Sequence, residues 1–559
     1  MFDENNIEVL ATSESYVRSG FWSNILSKVM SIFLLVVLTS YQNPTPRIAE
    51  FQVSYKTIDL QLNLQGKAYG LVDYNNPETF GTLNGQLNVL LQRFFEERDF
   101  LPAWTTEYNA NSNLNSLINL LDSAKYFGFP FDYFGNQNLK VLKSNFAETL
   151  SLSSRASLEL ASTLSALKFM LYLKHGIVER DSLFSFSAST DSFPSLLNNA
   201  ANDNFRLQLV ALQPDLAKFE RIKKSLPNFI DLHYSIKYTT PKLIDEKLLA
   251  KALFYAGISE TAELDTTLGN VSALLKLEKQ FGLPLDSCIN EENHMALVSL
   301  LQYRYYQACL NLNRLRRFED PEGNFLFVNI PEFRLHVVEE KQEKQSFNVI
   351  VGKEDTPTPI FSGNIEKLIT NPYWTVPKSI AVNEMLPKIR KDSTYLQRNG
   401  YYVINGKEEV VAFSELDWSS SDPFGNKYCI RQANSTRNSL GLVKIIFPNE
   451  HSVYLHDTPA RGLFKEKNRT FSHGCIRLEN PDMLAQYLAD RYISPQKVNI
   501  KKLINSRKNN EIQLEKTASI HIQYITCSGN ENADLEFYND VYKLDKRDIS
   551  IVFPELAGI

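Results

Sequence analysis

Cysteine is scarce in this chain of 559 residues: five occur, at positions 288, 309, 429, 475 and 527, with no Cys-x-x-Cys pair and no metal-ligand spacing. On that pattern no metal and no cofactor is expected. The odd count leaves at least one thiol free unless chains cross-link. An excess of one charge is missing as well. Lysine and arginine number 59 against 64 aspartates and glutamates, a net charge of −5, so nothing points to a nucleic-acid partner. A full membrane-spanning run is also lacking. The apolar stretch 29–38, preceded by Lys28, is shorter than the roughly 20 residues that a spanning helix prefers. It reads as the apolar region of a signal peptide or as a short N-terminal anchor. No cysteine follows it, which argues against a lipid-modified N-terminus.

What is present is core-forming material. Apolar residues make up 43% of the chain and aromatics 12%, and the length fits roughly three or four domains. Residues 46–240 are helix-dominated. Leu87, Leu90, Leu91, Phe94 and Phe95 recur at helical spacing, and Leu114, Leu117, Ile118, Leu120 and Leu121 mark another helix. Residues 158–173 form a third, broadly apolar helix, and 241–305 continue in helix. After Arg317 the periodicity turns strand-like, over 325–330, 334–339, 347–351, 401–404, 443–447 and 453–455. Asn405-Gly406 predicts a two-residue hairpin turn. Asn480-Pro481 predicts a helix start, with Met483, Leu484, Tyr487 and Leu488 as its apolar face. Residues 519–526 and 535–542 read as closing strands. The run 416–427, rich in Ser, Asp, Pro and Gly, predicts a mobile loop. The fold class is α+β and multidomain: mostly helical first, then a mainly β, sandwich-like domain.

One stretch carries chemistry: Ser472-His473-Gly474-Cys475-Ile476-Arg477, with His456 lying 19 residues before Cys475. A thiolate attacks carbonyls well, but a free thiol is mostly protonated at neutral pH, so a base must generate it. A strand ending near His456, an exposed loop over 461–470 and a returning strand would bring imidazole to thiol. The expected chemistry is acyl transfer, with Cys475 as nucleophile and His456 as base. Main-chain N–H groups of Gly474 and Cys475 are the expected oxyanion donors, with Ser472 and His473 in support. A third group should orient the imidazole, and the Asp457 side chain is the first option.

Together with His456-Asp457-Thr458-Pro459, Phe464 and Arg469, this stretch resembles the signature of the YkuD-type L,D-transpeptidase catalytic domain. Further likenesses lie at 327–335, Val351-Gly352-Lys353, Thr358-Pro359, Asn371-Pro372-Tyr373-Trp374, 395–400 and Asn438-Ser439-Leu440-Gly441. These resemble the large multidomain (YcbB-like) murein L,D-transpeptidases, and 95–104 resembles the entry to their scaffold domain. The resemblance implies a signal peptide or N-terminal membrane anchor over 1–45 and a helical scaffold domain over 46–240. A degenerate peptidoglycan-binding-like module follows over 241–305, with Ser287 and Asn290 where glycine is usual. The catalytic domain would cover 306–545, with a lid at about 380–435, and 546–559 would be a tail.

The implied function is a peptidoglycan L,D-transpeptidase of cell-wall biogenesis, exported to the periplasm and anchored in the inner membrane if the N-terminus is retained. A tetrapeptide stem would acylate Cys475 as a thioester, D-alanine would leave, and an acceptor stem amine would complete a 3→3 cross-link. Alternatives are an L,D-carboxypeptidase or amine-exchange enzyme on the same stem, or a non-catalytic wall-binding scaffold. Expected partners are stem peptides, glycan through 241–305, and inhibitors of the carbapenem type. Arg469 and Arg477 flank the nucleophile as candidate clamps for substrate carboxylates, with Tyr454 as a further substrate contact. For the imidazole, the resemblance favours a backbone carbonyl over the Asp457 carboxylate, and the choice stays open here.

Overall fold

The computed structural model describes Leu64 and residues 83–177, 192–200, 205–261, 267–318, 323–493 and 498–553. The apolar stretch 29–38 and the end of the tail lie outside these residues. Among the described residues no helix is long and apolar enough to cross a membrane. The chain divides into two units: Met1–Ile118 with Gly135–Leu167 and Ser185–Phe205, and Asn119–Phe134 with Lys168–Phe184 and Arg206–Ile559.

The first unit is helical. In Leu83–Glu96 the apolar residues predicted to share a face, Leu87, Leu90, Leu91, Phe94 and Phe95, are all buried. Beyond that helix the chain turns at Asp99 and Phe100, both at positive φ, and runs into a buried polar knot. Glu159 is fully buried and accepts the Ala103 N–H at 2.7 Å, the Trp104 N–H at 3.0 Å and the Thr105 hydroxyl at 2.7 Å. The Trp104 indole N–H donates to Thr163 Oγ1 at 2.8 Å, and Arg155 Nε donates to Thr105 Oγ1 at 2.8 Å. One carboxylate thus satisfies donors that would otherwise be stranded away from water.

The second unit joins helices to sheet. Its helices before the first strand include Ala217–Tyr238, Glu246–Tyr255, Thr267–Phe281 and Glu291–Arg316. The last of these is fastened to the C-terminal part of the chain, to Thr526 after the last long strand and to the helix Leu544–Val552. Asn311 exchanges two 2.8 Å hydrogen bonds with Thr526, and Arg314 pairs with Asp545 at 2.7 Å and Asp548 at 2.8 Å.

The strands begin with β1 (Phe325–Asn329), β2 (Arg334–Glu339), β3 (Gln342–Gly352) and β4 (Phe361–Thr370). An inserted sheet follows, formed by β5 (Trp374–Thr375), β6 (Tyr401–Asn405), β7 (Val410–Val411) and β8 (Tyr428–Gln432). The chain then returns through β9 (Val443–Ile446), β10 (Leu455–His456), β11 (Thr470–Ser472), β12 (Ile476–Leu478) and β13 (Asn510–Gln523). Neighbours in the main sheet run β11-β3-β12-β10-β9-β4-β13-β1-β2, and β2 also pairs with β3, so the hydrogen-bonded ring closes. The sandwich-like expectation is met by a sheet joined at its edges, which removes all but one open edge. Its core gathers Val328, Leu335, Val349, Ile365, Ile445, Leu455 and Ile520, and the Pro481–Tyr492 helix adds Leu484, Ala485, Leu488 and Ala489.

Several local expectations change. In that helix Met483 is 55% exposed, so small Ala485 and Ala489 complete the buried face instead. Asn480 adopts a left-handed conformation and makes no side-chain cap, while Pro481 does open the helix. The 405–409 hairpin is longer than two residues: the Asn405 N–H bonds Glu409 O and Glu408 takes positive φ. Of the two closing strands, β13 starts at Asn510, and only Leu535–Phe537 of the last stretch is strand. The run 416–427 is folded. Leu416 and Phe424 enter a core of the inserted sheet with Val376, Met385, Val403 and Ile430, and Asp417 and Asp422 cap tight turns. The segment expected to be a lid is a small subdomain with its own interior.

Candidate active site

β10 ends in His456 and β12 begins one residue after Cys475. The two strands are parallel neighbours, with Leu455 opposite Ile476 and His456 opposite Arg477. The 456–475 separation is closed by the strand–loop–strand return that the sequence predicts. The turn that carries Cys475 is held from below. Gly474 sits at φ +108°, a conformation open to glycine and strained for any other residue. Its carbonyl accepts the Thr358 hydroxyl at 2.8 Å, and Thr358 Oγ1 accepts the Gly352 N–H at 2.9 Å. A Cβ on Gly352 would stand 2.2 Å from Thr356 O, so only glycine lets these backbones approach. Ser472 Oγ donates to Cys475 O at 2.5 Å and accepts the Gly474 N–H at 3.2 Å.

Cys475 and His456 line one cavity of about 360 Å³, shared with Tyr454 and Arg477. The inserted subdomain contributes Trp374, Glu384, Met385, Lys388, Tyr395 and Tyr401 to the lining. His456 is buried. Its Nδ1 lies 2.5 Å from the Asp457 carbonyl, which fixes that nitrogen as the protonated one and leaves Nε2 with the lone pair. Burial first, then the charges of Arg477 and Lys444, push the imidazole down to about 3, which favours its neutral form. The Asp457 carboxylate is engaged elsewhere, accepting the Leu442 N–H at 2.8 Å and Arg461 at 2.9 Å. Gly441 makes room for it, since a Cβ there would come within 2.3 Å of the carboxyl. The orienting group is therefore the main-chain carbonyl.

Burial pushes the Cys475 thiol up, while hydrogen bonds from Tyr454 and the charges of Lys444 and Arg477 hold it back. Both shifts favour a neutral thiol and a neutral imidazole over a thiolate–imidazolium pair. Lys444 Nζ sits 3.9 Å over the Tyr454 ring, which meets His456 edge-on at 5.7 Å. Elsewhere, burial raises Cys309 to about 12 and Cys527 well above the ordinary thiol value, which leaves both inert.

The structure separates the two flanking arginines. Arg477 lines the cavity, and its guanidinium makes no hydrogen bond or ion pair with the described residues. Arg469 turns away from it. Its guanidinium donates to the carbonyls of Val349 at 3.2 Å and Phe333 at 3.0 Å and stacks on the Phe333 ring, so it fastens strands and is no substrate clamp. The His473 side chain does not support an oxyanion at Cys475; its Nε2 meets Glu384 Oε1 at 2.6 Å. The Gly474 N–H is already taken by Ser472, whereas the Cys475 N–H bonds none of the described residues and remains the main-chain donor. Sequence reasoning singled out none of the inserted subdomain's lining residues as functional. Trp374 and Tyr395 lie in segments quoted above for their resemblance, but Glu384 carries no sequence signal.

Residues 323–498 match the model for the YkuD family, L,D-transpeptidase catalytic domain, and residues 89–226 match a scaffold-domain model. The β-rich region is a YkuD-type L,D-transpeptidase domain. A Haemophilus influenzae protein named “Putative L,D-transpeptidase” is 32% identical over 250 residues, covering 43% of this chain and 48% of its own length. The chain thus spans about half of that relative. An L,D-transpeptidase from Mycobacterium smegmatis superposes with a TM-score of 0.18 at 14% identity, covering 36% of this chain and 58% of that one. One from Stackebrandtia nassauensis gives 0.17 at 12% identity, covering 49% and 90%. At those scores neither superposition bears on the fold. In the transpeptidase domain, both His456 and Cys475 fall inside the matched span.

Proposed function

We propose that the chain is a peptidoglycan L,D-transpeptidase that forms 3→3 cross-links through a thioester on Cys475. The observation that carries the reading is a neutral thiol and an oriented, neutral imidazole lining one cavity, with an unpaired guanidinium, Arg477, beside them. His456 Nε2 takes the thiol proton as Sγ attacks the stem amide carbonyl. The Cys475 N–H receives the developing oxyanion. The imidazolium then protonates the departing D-alanine amine, the C–N bond breaks, and a thioester remains. An acceptor amine attacks that thioester, and its proton returns through His456 to the leaving sulfur. Arg477 binds a stem carboxylate, for which a planar guanidinium is well matched. Lys444 fixes Tyr454 against the sulfur.

Such a substrate sets the site of action outside the cytoplasm, in the periplasm, with residues 1–45 directing export and 241–305 offering a contact to glycan. The deciding experiment incubates purified protein with disaccharide-tetrapeptide and identifies products by mass. A dimer that has lost one D-alanine supports the reading. Tripeptide alone would make the enzyme an L,D-carboxypeptidase, and unchanged substrate would make the chain a wall-binding scaffold.

A further inference from the structure

His473 and Glu384 face each other in the cavity that holds Cys475, and the acylation half of the chemistry uses neither. Glu384 rides on a π-helical turn of the inserted subdomain, Ala381–Met385, a local insertion of the kind that concentrates at functional positions. Its Oε1 lies 2.6 Å from His473 Nε2, with the two side chains 44% and 36% exposed. A side-chain contact this open to water contributes little to stability, so the fold does not require it. Glu384 has no other partner among the described residues. It is also the sole carboxylate lining the cavity. Besides His473, the remaining titratable or charged groups that line the cavity are Cys475, His456, Tyr454, Tyr395, Tyr401, Arg477 and Lys388, with Lys444 behind Tyr454. One anion among cations marks a place for a positive group of the substrate.

An acceptor amine is such a group. With an ordinary pKa of about 10.4 a primary amine arrives as ammonium, and it must lose a proton before it is a nucleophile. We propose that Glu384 and His473 form the acceptor subsite, binding a primary ammonium and removing its proton before it attacks the thioester. This rests on the transpeptidase reading above. With Nε2 engaged by Glu384, Nδ1 of His473 takes the first proton. The free amine adds to the thioester carbon, a C–N bond forms, and the second proton passes to His456. The C–S bond breaks and the sulfur takes that proton back as thiol. One hydrogen stays in the new amide, and His473 returns its proton to water.

The test uses the full chain with a tetrapeptide donor and, as acceptor, a stem tripeptide whose side-chain amine is free or acetylated. Thioester on Cys475 and the ratio of cross-linked dimer to hydrolysed tripeptide are read by mass. Glu384→Gln should lower that ratio at least tenfold and raise the KM for the free-amine acceptor, with Glu384→Asp recovering part of both. His473→Gln should shift the transfer step toward alkaline pH, where the amine is already neutral. A ratio in Glu384→Gln within twofold of wild type, with thioester still forming, would overturn the inference alone. Absence of thioester in the wild type would overturn the transpeptidase reading together with it.

Discussion

Glu159 and Arg477 are both charged side chains drawn away from water, and the molecule treats them in opposite ways. Around Glu159 the donors are matched to the acceptor: two main-chain N–H groups and a hydroxyl converge on one carboxylate, and Arg155 closes the shell. Burial pushes that carboxyl up and the hydrogen bonds hold it back. Around Arg477 nothing among the described residues answers the guanidinium, and the main-chain N–H of Cys475 is likewise left over. Complete satisfaction builds a rigid interior. Incomplete satisfaction, in a cavity large enough for a ligand, leaves binding energy to be collected from a substrate.

The strongest way to break this contrast is at the nucleophile. Cys475→Ala should abolish acyl transfer, a loss of about four orders of magnitude or more in rate, while the urea midpoint barely moves. Turnover retained in that variant would falsify the assignment of the thiol. The opposite result is expected in the helical unit. Glu159→Ala strands three buried donors and should cost about 3 kcal/mol of stability, read by Trp104 fluorescence in urea. An unchanged midpoint would mean that water replaces the carboxylate and that the knot is not structural.

The arginines sharpen the comparison further. Arg477→Ala should raise the donor KM by about tenfold to a hundredfold, because it removes a charge-assisted carboxylate bond. Arg469→Ala should instead lower stability, by about 1–2 kcal/mol, with KM unmoved. Exchanged outcomes would put the clamp at the wrong residue. The smallest effect concerns pH. His456 is depressed to about 3, so as pH falls it stays a neutral base until well below the ordinary histidine range. Acylation of Cys475 by a carbapenem-type drug, followed by intact mass, should therefore hold within about twofold from pH 8 down to 5. A tenfold loss through pH 6.5 would show an imidazole of ordinary basicity.

The meeting of His456 and Cys475 in one cavity was legible because its signature is contiguous: the turn at 472–477 and the strand ending at His456 are each local features. The role of Arg469 was not, since its acceptors are carbonyls of Phe333 and Val349, more than a hundred residues away in sequence. β4 escaped the strand pattern because its burial does not alternate cleanly, although it lies between β9 and β13 in the sheet. The expected lid misled for a different reason. Asp417 and Asp422 look like loop residues, and they are, but the turns they cap bring Leu416 and Phe424 into a core. Glu384 was invisible because a π-helical turn has no composition of its own.

That subdomain leaves and rejoins the catalytic sheet at a single point. Asn438 Nδ2 bonds the carbonyl of Pro372 at 3.1 Å, and Asn371 is tied down by the carbonyls of Leu503 at 3.1 Å and Ile504 at 3.0 Å. With entry and exit pinned side by side and an interior of its own, the segment 373–437 is a cassette. Recombination could exchange it whole without disturbing the strands that carry Cys475 and His456. Such an exchange would rebuild the wall that faces Cys475 while leaving the strands beneath the thiol as they are.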